Sequence, residues 1–504
     1  MKILAKSRKN FLIIIYFFIS SALIWSIFKL IVCKNYYGTL SVPYLLLNLL
    51  SLSLIIIIII NNIKKNIELE KLFLLIIIPI GLAFLFLQPP NFKPDEPHHL
   101  FRSYDIGING NLMPEKDEKK ISKIQIPVEV AQMHGNNINN LEKLNENLWV
   151  KIDYDNLITV ASTAASSSPV AYVFSSIGLK LAKTFDMSWF MGYYLARLLN
   201  FVFTIIVSYY AIKITPIGKL IFFIFLLNPM FIHQATAISS DVLLNTLSVF
   251  LISYILNLKY IKETVKYKDC IFLISIITII SLIKIPYIFL LFTLLLIPKK
   301  KMEKKKFMFL VLVILMILIL LFQSQFSNYS NEDIYIIPAV NALKQFKYIL
   351  LNPLYYIKVL FETFMNNSEF YLTSFAGKYL AWVDVESHSI APIIYIILLS
   401  SAAFIQHKED YNDILNKREK ILLIAIFSIS ILGLLTGIYI SWTPVQNNII
   451  NGVQGRYFIP IAMLGLLALQ PRKKLCVNNV KTKFCTLIIA INIIMLLNLI
   501  NVYI

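Results

Sequence analysis

The stretch TLIIAINIIMLLNLI, residues 486–500, contains no charged side chain and approaches the ~20 apolar residues with which a helix spans a bilayer. Two further stretches, SLSLIIIIII (51–60) and FMFLVLVILMILILLF (307–322), are similarly apolar. Hydrophobic residues make up 58% of the 504-residue chain and charged residues only 15%, which is too little polar surface for a soluble globular protein. We therefore predict an all-α integral membrane protein with many spans.

Positive charge is concentrated in the short loops between these apolar stretches. The chain has 47 Lys and Arg against 28 Asp and Glu, a net charge of +19. Because cytoplasmic loops of membrane proteins are rich in lysine and arginine, the pattern indicates topology and contact with the lipid bilayer rather than binding of nucleic acid. It places the basic start, MKILAKSRK (1–9), in the cytoplasm. The first apolar segment lacks a small-residue cleavage site, so we expect a retained signal anchor.

With every basic loop placed in the cytoplasm, the chain is predicted to cross the membrane about 13 times. We expect two N-terminal spans in residues 1–70, a core of spans over 71–470 and a C-terminal span in 471–504. A large outer loop, 89–168, follows the third span. At about 80 residues it is far longer than a plain connector, and loops of such length are often functional.

Two apolar segments are predicted to lie at the outer face without crossing. A crossing at 168–185 would move the next basic loop to the wrong side, so this segment is expected to rest on, or dip into, the membrane. A second outer region, 324–388, contains the mixed apolar and charged segment 351–372, which is typical of an interfacial helix.

The large outer loop opens with PPNFKPDEPHHLFRSYDIG, residues 89–107, which is rich in ionisable side chains. The topology predicted from the basic loops brings other ionisable residues to the same face of the membrane. Such residues at one membrane face are costly unless they bind a ligand or pair with each other. The candidates are Asp95, Glu96, His98, His99, Arg102, Arg197, Asp241, Lys284 and Arg456.

These residue types suit phosphate-linked transfer chemistry. The carboxylate of Asp95 could act as general base on an acceptor, with Glu96 and Asp241 supporting it or binding a divalent cation. Lys284 and Arg456 could bind a leaving phosphate, because the planar guanidinium matches phosphate oxygens.

Ordinary structural roles are open for the same residues. Asp241 follows two serines and would serve as a helix cap, whereas Lys284 could extend to the lipid headgroups. Arg456 could simply flank a span. His98 and His99 could form structural hydrogen bonds, since adjacent residues on a strand face opposite sides.

Six motifs occur in order between about residues 75 and 470: PDEPHHLFRSYDI, SSPVAYVFSSIGLKLAK, LARLLN, NPMFIHQATAISSDVLLN, KIPY and GVQGRYFIP. Together they resemble an uncharacterised family of bacterial polytopic membrane proteins, domain of unknown function 2142, grouped with the GT-C glycosyltransferases. The resemblance implies a GT-C-like helical bundle, with 71–470 as its catalytic core. It also implies a sugar donor linked to polyprenyl phosphate.

By the same resemblance, Asp95 and Glu96 form the acidic motif of the first outer loop, acting as catalytic base or as ligands of Mg or Mn. Asp241 matches a position that is often acidic, and 168–185 matches a proline-led segment. Two features depart from the pattern: two spans precede the one leading into the acidic loop, and SSPVAY replaces a Pro-Pro pair.

We therefore expect a glycosyltransferase that moves a sugar from a polyprenyl-phosphate donor to a cell-envelope glycan or lipid-linked acceptor at the outer face. The alternatives are a polysaccharide polymerase or ligase, and a transporter or flippase for a lipid-linked sugar. The expected catalytic residues are Asp95, Glu96 and Asp241, with Asp95 and Glu96 as the metal ligands. Substrate binding is assigned to His98, His99, Arg102, Arg197, Lys284, Arg456 and Tyr457.

Overall fold

The computed structural model describes residues 67–503, except 114, 117–121, 134–146, 148, 304, 307–309, 311–312, 314–338, 409, 412–414, 474, 476 and 478–479. The apolar stretch 51–60 and nearly all of the region 1–70, where two spans are predicted, lie outside the described residues. So does most of the stretch 307–322.

The described chain is mostly helical, with a few short strands. The α-helices are α1 (Leu69–Leu87), α2 (Glu96–Gly107), α3 (Val128–Gln132), α4 (Val173–Thr184), α5 (Trp189–Ile214), α6 (Lys219–Phe225), α7 (Pro229–Ala235), α8 (Asp241–Tyr260), α9 (Tyr267–Ile283), α10 (Ala342–Leu351), α11 (Pro353–Phe375), α12 (Ala391–Ala402), α13 (Lys417–Ser441), α14 (Ile459–Ala468) and α15 (Val480–Tyr503). The 3-10 helices are Pro169–Tyr172, Ile285–Leu296, Lys299–Lys301 and Gly455–Phe458. The strands are β1 (Glu115–Lys116), β2 (Ser122–Pro127), β3 (Leu157–Ala161), β4 (Tyr379–Leu380) and β5 (Val385–Glu386).

Five of the described helices are long and apolar enough to cross a membrane: α1, α5, α8, α13 and α15. Three shorter apolar helical segments lie at Ile285–Leu296, Ala391–Ala402 and Gly455–Ala468. The ends of the long helices follow local sequence signals. Asn416 and Glu419, for example, form a capping box at the start of α13, which satisfies backbone N–H groups that the helix itself leaves unpaired.

Helices α5 and α8 pack side by side through an apolar interface that contains small polar residues. The hydroxyls of Thr204 and Thr246 lie 3.3 Å apart, and the hydroxyl of Ser253 donates to the carbonyl of Ala211 at 2.6 Å. Such hydrogen bonds between helices stabilise packing where apolar surroundings offer no water. This pair of helices forms the support on which the polar loops at one end of the bundle rest.

The loop predicted to be outer, 89–168, contains a small sheet, so the chain is mostly helical rather than all-α as predicted. Strand β2 pairs antiparallel with both β1 and β3. Along β2, Ile124 and Ile126 are buried while Lys123 and Gln125 are exposed, the two-residue alternation of a strand with one covered face. Strands β4 and β5 form a second, two-stranded sheet.

The segment predicted to lie at the outer face, 168–185, is a 3-10 turn followed by α4. With 12 residues, α4 is about 18 Å long, which is shorter than the ~30 Å hydrocarbon core of a bilayer. It packs closely on α5, because a Cβ at Gly178 would lie 2.7 Å from the Cα of Ala196. Its other side exposes apolar side chains such as Ile177.

The predicted interfacial segment, 351–372, falls mostly within the 23-residue helix α11. Val359, Thr363 and Tyr371 are buried on one side of α11. The opposite side exposes an apolar row made of Leu354, Ile357, Phe361 and Met365. Helix α11 thus packs against the protein on one side and presents apolar side chains outward on the other.

Candidate functional site

The acidic motif follows a rigid loop that joins α1 to α2. Within it, Asn91 and Asp95 both adopt the left-handed conformation, with φ angles of 68° and 58°, which is uncommon for residues other than glycine. Asn91 is held on two sides: its N–H donates to the hydroxyl of Tyr193, and its carbonyl accepts from Trp382 Nε1, at 2.8 and 2.9 Å. These contacts fix the backbone just before Asp95, the N-cap residue of α2.

Glu96 forms a fully buried ion pair with Arg197. Arg197 Nε lies 2.8 Å from Glu96 Oε1 and its terminal nitrogen Nη2 lies 2.6 Å from Oε2, while the N–H of Ile238 also donates to Oε1. Arg197 further donates to the carbonyls of Leu85, Gln88 and Pro89 at the end of α1. The polar atoms of these two side chains thus connect α1, α2 and α5, while the catalytic or metal-binding role of Glu96 and the substrate-binding role of Arg197 stay predictions.

Arg102, for which substrate binding stays a prediction, is likewise bonded to groups of the protein itself. Its guanidinium lies 2.8 Å from the carboxylate of Asp105, and both side chains are buried. It also donates to the carbonyls of Ser167, Asn111 and Leu112. Arg102 thereby connects α2 to two distant parts of the outer loop.

The adjacent histidines point in different directions. His99 Nδ1 lies 2.7 Å from the hydroxyl of Tyr172, in the segment that precedes α4. Burial lowers the pKa of His99 to about 4 against the opposing effect of two nearby carboxylates, so its ring is neutral at neutral pH. His98 Nδ1 lies 3.5 Å from the hydroxyl of Ser162, at the end of β3, and its ring meets Phe101 edge-on. His99 lies close to the charged residues described next.

Asp95, Asp241, Lys284 and Arg456 form one connected group, here called the charge cluster. Arg456 Nη2 lies 2.7 Å from Asp95 Oδ2, and Arg456 Nη1 lies 3.9 Å from Asp241 Oδ2. Lys284 Nζ completes the group at 2.6 Å from Asp241 Oδ1. The four residues come from four separate parts of the chain, and the structure brings them together as the sequence predicts.

The members of the charge cluster differ in exposure. The side chain of Asp95 is 46% exposed and that of Lys284 31%, whereas those of Asp241 and Arg456 are only 7% and 3% exposed. Burial acts to raise the pKa of Asp95, but the charge of Arg456, its hydrogen bond to the carboxylate and the influence of His99 together outweigh burial, so that this pKa lies below its usual value and the carboxylate is ionised. The cluster thus presents a carboxylate and an ammonium above a buried guanidinium.

Tyr457 lies against both cations of the charge cluster. Its ring centroid is 4.8 Å from Lys284 Nζ and 5.1 Å from Arg456 Cζ, distances at which a cation is attracted to an aromatic face. The hydroxyl of Tyr287 donates to the carbonyl of Tyr457 at 2.7 Å, which fixes this part of the backbone. Tyr457 therefore positions the two cations.

Residues 72–465 match the family model described as a predicted membrane protein, DUF2142. The chain belongs to this family. The matched region contains all four residues of the charge cluster. No curated protein and no solved structure matches the chain.

In this member of the DUF2142 family, the residues predicted to hold Mg or Mn do not fit a metal ion. Both carboxylate oxygens of Glu96 accept hydrogen bonds from Arg197, and the near oxygen of Asp95 accepts one from Arg456. Among the described residues, no three His, Cys, Asp or Glu side chains are grouped so that they could hold a metal ion. A divalent cation beside Asp95 would also meet the positive charge of Arg456 and Lys284.

Two residues of the acidic region were missed by sequence reasoning. Lys93 is fully buried, and its Nζ donates to the carbonyl and the hydroxyl of Thr236 at 2.5 and 2.6 Å. Burial and the neighbouring charge of Arg197 hold the pKa of Lys93 well below its usual value. Trp382 lies between β4 and β5, and its bond to Asn91 is described above. The position of Lys93 beside the acidic motif was a usable signal, but nothing in the sequence connects Trp382 with residue 91.

Proposed function

We propose that this protein is a GT-C-like membrane glycosyltransferase working at the outer face of a bacterial cytoplasmic membrane. It would transfer a sugar from a polyprenyl-phosphate donor to a cell-envelope glycan or a lipid-linked acceptor. The observation that carries this proposal is the charge cluster, in which a half-exposed carboxylate lies 2.7 Å from a buried arginine. The carboxylate can accept a proton and the arginine can bind phosphate, which are the two requirements of sugar transfer from such a donor.

In the proposed reaction, an acceptor hydroxyl attacks the anomeric carbon of the sugar while its proton passes to the carboxylate of Asp95. The bond between that carbon and the phosphate oxygen breaks, and the electron pair leaves with the polyprenyl phosphate. Arg456 and Lys284 would bind the charge that develops on the leaving oxygen, an electrostatic contribution that is often the largest in such reactions. No metal ion takes part in this scheme.

Asp241 is proposed as a positioning residue rather than a second base. Its two oxygens face the two cations, at 2.6 Å from Lys284 and 3.9 Å from Arg456. With Asp95, the cluster contains two carboxylates and two cations, so their formal charges cancel. Asp241 keeps the cations next to each other, so that one phosphate could meet both.

The remaining predicted binding residues are proposed to act around this centre. His99 is neutral and its Nδ1 lies beside the hydroxyl of Tyr172, so it would border the charge cluster without adding charge. Tyr457 would orient the cations through its ring.

A transfer assay with full-length protein in proteoliposomes tests the proposal. Polyprenyl-monophosphate donors carrying different sugars are supplied, and the released polyprenyl phosphate is measured by mass spectrometry. We expect release by the wild type and a loss of at least about 100-fold in Asp95→Asn, since a general base contributes ~10²–10⁴ to rate.

Glu369→Gln is the matched control, because the side chain of Glu369 is 85% exposed and lies beside Lys378 rather than beside the charge cluster. It should retain wild-type release. Full activity of Asp95→Asn would contradict the assignment of the base. Movement of intact donor across the membrane without release would instead favour a transporter.

A further inference from the structure

Arg456 has hydrogen-bonding capacity that its neighbours do not use. A guanidinium has five N–H donors in a fixed plane. Arg456 Nη2 donates to Asp95 and, at 3.3 Å, to the hydroxyl of Tyr457, while Nη1 is 3.9 Å from Asp241, beyond hydrogen-bond length. Its buried Nε has no hydrogen-bond partner among the described residues. A buried donor of this kind is costly unless another group, such as a ligand, satisfies it.

Asp95 is the weakly held partner of Arg456. Its carboxylate meets the guanidinium through one oxygen only, and nearly half of its side chain is exposed. By contrast, the Glu96–Arg197 pair next to it is joined through both oxygens and is fully buried. Ion pairs with an exposed partner contribute little free energy, so the contact of Asp95 can be replaced at small cost.

We propose that the phosphate group of the lipid-linked sugar donor replaces the carboxylate of Asp95 on Arg456, and that Asp95 is thereby released to act on the acceptor. This inference rests on the proposed function and adds to it an order of events. Carboxylate and phosphate are both oxyanions that an arginine binds, so the two compete for the same donors. Before the donor binds, Asp95 is occupied by Arg456. Afterwards, Arg456 and Lys284 face phosphate, and the carboxylate is free to accept a proton.

Competition makes an unusual prediction for binding: removing the charge of Asp95 should strengthen the binding of phosphate. We expect Asp95→Asn to bind geranyl phosphate about fivefold more tightly than the wild type, the order of magnitude by which a partly exposed ion pair competes. Full-length protein in lipid nanodiscs and isothermal titration calorimetry measure this affinity. Asp95→Ala serves as a second variant if Asp95→Asn does not fold.

Three further titrations test which chemical group of the ligand the protein binds. Geraniol, which lacks the phosphate, should bind at least tenfold more weakly than geranyl phosphate. Inorganic phosphate tests whether the phosphate group is recognised without a lipid chain. The tighter binding by Asp95→Asn is expected with inorganic phosphate as well as with geranyl phosphate. Glu369→Gln removes a carboxylate that has no contact with Arg456 and should bind geranyl phosphate as the wild type does, which separates competition from a general change of charge.

The outcomes separate this inference from the proposed function. If the wild type binds geranyl phosphate and both Asp95 variants bind it equally or more weakly, the exchange is overturned while the phosphate site stands. Equal strengthening by Glu369→Gln would also overturn it. If neither the wild type nor any variant distinguishes geranyl phosphate from geraniol, the phosphate site itself is overturned, and the proposed function with it.

Discussion

Asp95 and Glu96 are neighbours in the sequence and share a carboxylate, yet their surroundings are opposite. Asp95 occupies the N-cap of α2 in a left-handed conformation, and its side chain is half exposed beside Arg456. Glu96 begins the helix itself, and its side chain is fully buried against Arg197. The direction of each side chain depends on the backbone turn at Asp95 and on where α5 lies. For this reason the sequence predicted an acidic site but not which acid is accessible.

The two acids are expected to differ in their contribution to stability. Glu96→Gln leaves the buried guanidinium of Arg197 without its counter-charge and should lower the free energy of unfolding by about 3–5 kcal/mol. Asp95→Asn should lower it by only about 0–1 kcal/mol, because Asp95 is half exposed and Asp241 still faces Arg456. Denaturant unfolding of the purified variants in detergent measures both values. Equal losses would contradict the division into a structural and an accessible acid.

At the scale of elements, the β4–β5 hairpin reaches across to the acidic loop. The turn between the strands contains Ala381 and Val383 with φ angles of 54° and 72°, which is a strained conformation for a β-branched residue such as Val383. The backbone N–H of Ala381 donates to His233 Nε2, and Trp382 Nε1 donates to the carbonyl of Asn91. The hairpin therefore holds the loop that carries Asp95 against α7.

Trp382→Phe removes this N–H donor while keeping a large apolar ring. If the hairpin positions Asp95, kcat for sugar transfer should fall about three- to tenfold, in line with the loss of one hydrogen bond, while the KM for the donor stays unchanged. Steady-state kinetics in proteoliposomes measure both constants. Tyr379→Phe is the control, since the hydroxyl of Tyr379 donates to Glu386 within the hairpin. An unchanged kcat in Trp382→Phe would remove the positioning role.

Hydropathy predicted the main helices of the described chain and not the small features between them. The apolar runs of α1, α5, α8, α13 and α15 satisfy the length and composition of a span. The sheet of strands β1, β2 and β3 was not predicted, because short strands in a polar loop give a weak pattern. The segment 168–185 was predicted not to cross the membrane because a crossing would move the next basic loop to the wrong side. Its helix, α4, is short.

At the scale of the whole molecule, the topology predicted from the basic loops placed all four residues of the charge cluster at one face. Residues up to 361 positions apart meet in one group. The same topology placed Arg102 and Arg197 at that face, but these two residues form separate buried ion pairs. Topology predicts which face a residue reaches, whereas tertiary packing determines its partner. That is why the sequence predicted that these residues lie near one another but not which of them pair.

The central claim is that the charge cluster binds the phosphate of a lipid-linked ligand. A cryo-electron microscopy map of the full-length protein in nanodiscs with geranyl phosphate tests it most directly. We expect phosphate density at hydrogen-bond distance, about 3 Å, from both the guanidinium of Arg456 and the ammonium of Lys284, with the carboxylate of Asp95 moved away from Arg456. Phosphate density elsewhere on the protein, with the contact between Asp95 and Arg456 intact, would contradict the account.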